Sequence, residues 1–309
     1  MPRPVTHEGE QSVKHRVGGG RPAPAFGPKI TSGFAEFLQR QRMLVIGAPD
    51  AEGAVWAGIV TGEAEFVRTR GDSTIATDGL PVVGDPLREA FDTERDCGTI
   101  AIDPLHSRRI RANGRARRDR DGLVLVTEQV LRNCPKYIQQ RQLVTDAAPE
   151  RRPTRGLVTT ELSEQQQDWI IGADTFFIAT HSPVHGADAS HRGGAPGFVT
   201  VAGNRLLSWP DYVGNSFYMT LGNLELNPAC GLLFVDWSRG HTLHLTGRAQ
   251  VDWQRCAAPG AKRTIDFYVD RVVQVDHATV LRWQFLAPSS YNPTPPEEQQ
   301  LVPEEWSRK

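Results

Sequence analysis

Short apolar runs, separated by clusters of Gly, Pro, Asn and Asp, set the rhythm of this chain. Met43-Leu44-Val45-Ile46-Gly47-Ala48 reads as a strand buried on both faces, and Pro49-Asp50-Ala51-Glu52-Gly53 carries turn chemistry. Val55–Thr61 is therefore expected to return beside it as an antiparallel partner. Ahead of this hairpin, Phe34, Phe37 and Leu38 recur at i, i+3 and i+4 behind Thr31, the pattern of a capped amphipathic helix. Glu65–Arg68, Ser73–Ala76, Gly98–Ile102 and Arg108–Arg118 supply further short strands, with Pro86–Phe91 the one helix-like piece among them. The plan then returns. An entry helix over Ser163–Gly172 buries Leu162, Trp169 and Ile170, and is followed by FFIAT, a turn at 182–186, ADASHRG, GFVTV, RLLSW, a helix over Phe217–Leu226, CGLLFVDW and HTLHLTGRAQV.

The return keeps register. Thr175-Phe176-Phe177-Ile178-Ala179-Thr180 stands to Met43–Ala48 as Gly194 stands to Gly62 and Phe198 to Phe66, all at one spacing. One residue further apart, Cys230-Gly231 matches Cys97-Gly98, Asp236 matches Asp103, and Gly247-Arg248-Ala249 matches Gly114-Arg115-Ala116. The period is too long for a solenoid and indicates tandem duplication of a domain, the pair imitating a two-fold dimer within one polypeptide. Many short strands with a helix crossing over mid-domain predict a mainly β fold with flanking helices, a small closed or half-open antiparallel barrel in each copy; a sandwich gives a similar linear pattern. The expected boundaries are an N-terminal arm over 1–30, a first repeat with the inter-repeat segment over 31–145, a second repeat over 155–287, and a Pro-rich tail over 288–309 without regular structure.

Composition narrows the function classes. With 309 residues, 39% hydrophobic and 23% charged, the chain suits two ordinary soluble domains. A net charge of −1 argues against nucleic acid or an anionic membrane as partner, and no run approaches the ~20 apolar residues that span a bilayer. The first residues lack the apolar core of a signal peptide, so a cytoplasmic location is expected. Cys97, Cys134, Cys230 and Cys256 lack CxxC spacing, and no disulfide framework is expected. His181, His185 and His191 have no neighbouring ligand pattern that completes a metal set, and no metal is expected. The arginines at 108, 109, 111, 115, 117, 118 and 120, interleaved with Asp119 and Asp121, read as a solvated hairpin.

The copies diverge at two places. Trp56-Ala57-Gly58-Ile59-Val60-Thr61-Gly62 is replaced by Asp188-Ala189-Ser190-His191-Arg192-Gly193-Gly194, where an ordinary strand becomes polar and ends in paired glycines that admit a close backbone approach, by a ligand or within a bulge. The second is Trp209-Pro210-Asp211-Tyr212-Val213-Gly214-Asn215-Ser216, a loop entering a helix. Asn215 or Ser216 is placed to cap that helix, whose N-terminus is also a ready phosphate site.

These stretches, with FFIATHSP and LNPACGLLFVD, resemble the flavin-binding split barrels similar to pyridoxamine 5′-phosphate oxidase. His7-Glu8-Gly9-Glu10 and Asn133-Cys134-Pro135-Lys136-Tyr137-Ile138 resemble a two-domain subgroup that begins with a His-x-Gly-Glu helix. The resemblance implies two tandem split β-barrels forming a pseudo-dimer, with FMN in the cleft between them. It places Ser190, His191, Arg192 and Gly193 along the isoalloxazine and ribityl chain, Trp209, Pro210, Asp211, Gly214, Asn215 and Ser216 near the phosphate, and Cys134, Lys136 and Tyr137 over the ring. Ser216 and Phe217 stand where the family often carries a basic residue, which implies that phosphate affinity is weaker, is supplied by Arg192 or Arg205, or is absent. The expected activity is two-electron oxidation or reduction of a small organic molecule with an electron donor or acceptor, His191, Lys136 and Tyr137 tuning the ring or moving a proton. A deazaflavin-dependent reductase and a non-catalytic flavin or haem binder are the alternatives, and either a monomeric pseudo-dimer or a homodimer fits the duplication.

Overall fold

A computed structural model of the protein describes residues 6–19, 26–144, 154–155, 158–256 and 258–293. The N-terminal arm carries α1 (Glu8–Arg16), and the first repeat opens with α2 (Ser32–Gln39). It continues with β1 (Met43–Pro49), β2 (Val55–Thr61), β3 (Val67–Thr69), β4 (Thr74–Thr77), β5 (Arg95–Asp103), β6 (Arg108–Asp119), β7 (Gly122–Arg132) and β8 (Gln140–Val144). After β9 (Thr154–Arg155) come α3 (Glu164–Gly172), β10 (Thr175–Ser182), β11 (Gly186–Gly193), β12 (Thr200–Ala202), β13 (Leu206–Tyr212), α4 (Met219–Leu226), β14 (Ala229–Val235), β15 (Thr242–Asp252), β16 (Ala261–Asp276) and β17 (Arg282–Ala287).

The duplication is visible as topology. One sheet runs β2-β1-β5-β6-β7-β4-β3 and the other β11-β10-β14-β15-β16-β13-β12, the same order element for element, with every pairing antiparallel. Even the bulge repeats, between Asn113 and Gly114 in β6 and between Thr246 and Gly247 in β15. These are two split barrels, each curled around its own core. Phe37, Leu44, Ile46, Val60, Phe91 and Leu125 fill the first, and Phe176, Trp209, Phe234, Leu245 and Phe267 the second.

A third core lies between the barrels and accounts for the continuous apolar runs. Along β1, Leu44 and Ile46 face the first barrel's interior while Met43 and Val45 face the other barrel; along β10, Phe176 and Ile178 face inward while Phe177 and Ala179 face across. A strand buried on both faces needs apolar residues at successive positions. The matched Gly–Phe pairs also acquire a reason. A Cβ on Gly62 would meet the Phe66 side chain at 2.5 Å and one on Gly194 the Phe198 ring at 2.6 Å, so each ring packs directly on its glycine.

Several elements differ from the sequence pattern. β7 and β16 were not apparent as strands because charged and apolar residues mix along them, as in Arg263, Asp266, Asp270 and Arg271 of β16. The N-terminal arm contains α1, the helix that His7-Glu8-Gly9-Glu10 leads one to expect. β17, at the end of the expected second repeat, pairs with β8; of the expected tail, 288–293 carry no helix or strand and 294–309 lie outside the described residues. Pro86–Phe91 forms turns with a short 3-10 segment at Ala90–Asp92, so the crossover helix exists as α4 in the second repeat alone. All four cysteines are free; Cys97 and Cys230 lie near the starts of matched strands as buried apolar groups, and burial pushes the Cys97 thiol up to about 12. Among the described residues no helix is long and apolar enough to cross a membrane.

The barrels meet through glycine. A Cβ on Gly98 of β5 would lie 2.5 Å from the Asp188 and Ala189 backbone of β11, and one on Gly231 of β14 would lie 2.5 Å from Trp56 Cα of β2. Gly231→Ala should therefore force the barrels apart and destabilise the chain by about 1–3 kcal/mol, the usual range for overpacking. Thermal unfolding checks this, and a Tm equal to that of the parent protein would show that the interface yields freely.

Candidate functional site

The polar strand β11 is where the two barrels leave a cleft. It spans about 830 Å³ of space not filled by atoms, open solvent included. Ser190, His191, Arg192 and Gly193 form one wall, and Pro210, Asp211, Gly214, Asn215 and Ser216 another. Cys134 and Tyr137 from the inter-repeat segment line it as well, as do Arg109 and Arg111 of β6. The cleft thus draws on both repeats.

Trp209 and Lys136 lie elsewhere. Trp209 is 1% exposed in the second barrel's core, edge-on to Phe176, because strand alternation turns it inward from Pro210. Lys136 donates from Nζ to the Val213 carbonyl at 3.2 Å and sits over the Tyr291 ring, at the rim. Tyr137 Oη donates to the same carbonyl at 3.0 Å, and burial pushes its phenol up to about 12. Both side chains clamp the inter-repeat segment to the loop after β13. Gly193 serves that clamp too, since a Cβ there would lie 2.1 Å from the Tyr137 carbonyl oxygen. Arg205 spends its guanidinium on the Val269 carbonyl, outside the cleft lining.

Arg109 and Arg111 correct the reading of the basic hairpin. Arg108, Arg115, Arg117, Arg118 and Arg120 are exposed, but Arg109 is 9% and Arg111 3% exposed, both facing the second barrel. The available signal was comparison of the copies: they align with Thr242 and His244, so two arginines appear in one repeat where a threonine and a histidine stand in the other. Arg111 is ion-paired with Asp188, which also accepts hydrogen bonds from Asn113 Nδ2 at 3.2 Å and Ser190 Oγ at 3.2 Å. Thr220 Oγ1 reaches Ser190 Oγ at 3.2 Å. This buried network ties β6 to β11 and α4.

Arg109 Nη1 lies 2.9 Å from His191 Nδ1, and Arg109 Nη2 donates to Cys134 Sγ at 3.6 Å. A guanidinium only donates, so Nδ1 accepts and the neutral ring carries its proton on Nε2. Burial first, then Arg109 and Arg192, hold the His191 imidazole well below its usual range. It is a hydrogen-bond donor at neutral pH. The cleft lining holds the cations Arg109, Arg111 and Arg192; with Arg111 paired to Asp188 behind the wall, Arg109 and Arg192 stand against one lining carboxylate, Asp211. Asp211 is already paired with Arg263 at 3.1 Å, while Nε of Arg109, Arg111 and Arg192 is shielded and lacks a hydrogen-bond partner among the described residues.

The loop into α4 is strained. Ser216 and Tyr218 adopt left-handed φ values of 64° and 60°, as does Tyr137 across the cleft at 65°. Asn215 caps a local turn through the Phe217 N–H at 3.1 Å rather than the helix. Tyr218 occupies the N-cap with no side-chain hydrogen bond, and Met219, Thr220 and Leu221 of the first turn line the cleft. A helix start without a capping side chain leaves N–H groups for an anion.

The twin position between the repeats is filled. Gly58 and Ile59 stand where the second repeat has Ser190 and His191, and the segment before β5 folds over them. Asp85 accepts from Ile59 N–H at 3.2 Å and Leu87 N–H at 2.8 Å, and lies 3.9 Å from His244 Nε2, both side chains fully buried. A Cβ on Gly58 would lie 2.7 Å from Asp85 Oδ1.

No protein-family model and no curated protein matches the sequence. Solved structures similar to it include HupZ of Group A Streptococcus (14% identity, 36% of this chain and 92% of that one, TM-score 0.30). An FMN-binding protein from Syntrophomonas wolfei (9%, 36% and 84%, TM-score 0.28) and an FAD-binding protein from Mesorhizobium loti (10%, 39% and 99%, TM-score 0.27) are also similar.

A neutral, buried His191 makes stability depend on pH with a definite sign. Unfolded, the ring takes up a proton near 6.5; folded, it resists protonation until well below that. The unfolded chain therefore holds more protons below 6.5, so this contribution is complete above 6.5 and is lost as pH falls, by at most about 1.4 kcal/mol per pH unit. His191→Gln removes the titration. The parent protein should lose more Tm than the variant on going from about pH 7.5 to about pH 5, and equal losses would show that the ring titrates normally.

Proposed function

We propose that the inter-barrel cleft binds FMN and that the protein is an FMN-dependent oxidoreductase acting on a small organic molecule. The observation that carries this reading is the charge imbalance of the cleft: Arg111 is paired with Asp188 and Asp211 with Arg263, whereas Arg109 and Arg192 form no ion pair among the described residues and their Nε atoms lack hydrogen-bond partners there. Buried cations without counter-charge are costly, and a bound anion removes the cost. The uncapped first turn of α4 suits a terminal phosphate, and FMN carries one such group on a planar ring system.

The residues present fit that group. Arg192, Asn215, Ser216 and the first turn of α4 would hold the phosphate and ribityl end. His191, Arg109 and Cys134 would lie along the ring. When bound, FMN supplies two-electron hydride chemistry. The chain's own contribution is positioning and polarity. Arg109 holds His191 in the tautomer that presents Nε2–H, and the Lys136 and Tyr137 clamp holds the loop that closes the phosphate end. Because His191 Nε2 keeps its proton, the ring is set to donate a hydrogen bond rather than to ligate a haem iron.

The filled twin implies one flavin per chain. Denaturing release from protein reconstituted with excess FMN should yield about one equivalent, and two equivalents or none would refute the assignment. Arg109→Ala and Arg192→Ala should each weaken FMN binding about tenfold to a hundredfold, the worth of a charge-assisted contact, with little change in cofactor-free Tm. Fluorescence titration reads the affinity. A Soret band in the purified protein would favour haem instead.

A further inference from the structure

We propose that His7, Glu8 and His185 form a binding site for one divalent transition-metal ion, joining the N-terminal helix to the second barrel. A ring nitrogen of each histidine and a Glu8 carboxylate oxygen all lie within 4.8 Å of one another. His185 Nε2 is 2.7 Å from Glu8 Oε2; the two imidazoles stack with centroids 4.6 Å apart and planes 6° from parallel, so one ring turns about its side-chain bonds to bring both in-plane lone pairs onto one ion. His7 comes from the start of the chain and His185 from the turn between β10 and β11, so the cluster exists only after folding.

The unexplained group is His7. It is 8% exposed, and its Nδ1 is shielded from solvent without a hydrogen-bond partner among the described residues. A buried ring nitrogen left unpaired is unfavourable. His7 also occupies the N-cap of α1 without making a cap hydrogen bond, in a position where Ser, Thr, Asp or Asn would stabilise the helix. Helix stability therefore does not account for it.

The site is held in place by backbone contact. A Cβ on Gly9 would lie 2.1 Å from the Gly222 carbonyl oxygen, so α1 rests directly on α4. Two imidazoles and a carboxylate make a mixed nitrogen and oxygen set that suits zinc and its first-row neighbours, with water completing the shell, and not magnesium or calcium. The same small cavity is lined by Asn113 and Asp188, members of the network beneath the cleft, so the ion would brace the cleft floor. This inference does not depend on FMN.

The test uses the tag-free full chain, stripped with a chelator and titrated with Zn(II) or Co(II). The expected result is one equivalent per chain, visible Co(II) ligand-field bands and a higher Tm with metal. His185→Gln should abolish stoichiometric uptake. Glu8→Gln, on a side chain 64% exposed, should weaken it by at least about tenfold while leaving metal-free unfolding unchanged. Failure of the intact chain to take up one equivalent overturns the proposal, as does uptake that survives both substitutions undiminished.

Discussion

Everything in this molecule depends on how closely the two barrels approach. Gly98 and Gly231, at the same place in each copy, let β5 lie on β11 and β14 lie on β2 at backbone contact. Side chains on β1 and β10 then fill a core that belongs to neither barrel alone. An ordinary two-fold dimer achieves such contact with one patch used twice. Here the patch is written twice in one chain, and each version is free to diverge.

Divergence is what turns a symmetric scaffold into an asymmetric site. On one side Asp85 occupies the space over Gly58 and Ile59 and lies 3.9 Å from buried His244. On the other, Arg109 and Arg111 replace Thr242 and His244, β11 becomes polar, and α4 presents its first turn to a cleft that stays open. The filled side has its polar groups satisfied from within. The open side keeps Arg109 and Arg192 without an ion-pair partner among the described residues, and this difference connects fold to ligand.

The network around Asp188 lies between the two proposed binding sites. It joins Arg111 and Asn113 of the first barrel to Ser190 of the second, directly behind the cleft wall, and shares a cavity with His7 and His185. Rearranging it would leave buried charge unpaired, which is strongly destabilising. Cleft geometry and N-terminal helix are thus mechanically joined.

The sequence by itself determined the repeat, the entry helices, the strands of both hairpin starts and the places where the copies part, because period and turn chemistry are local properties. It also marked Ser190 to Gly193 and Pro210 to Ser216, since divergence within a duplication is legible without coordinates. It did not reveal that Arg109 and Arg111 are buried: a strand alternates faces, but which face meets another barrel is a tertiary fact. Trp209 points into the core and Lys136 to the rim for the same reason. His7 and His185 meet only because Gly9 lets α1 lie on α4. Long-range packing chose these neighbours, and no local pattern encodes a contact between opposite ends of the fold.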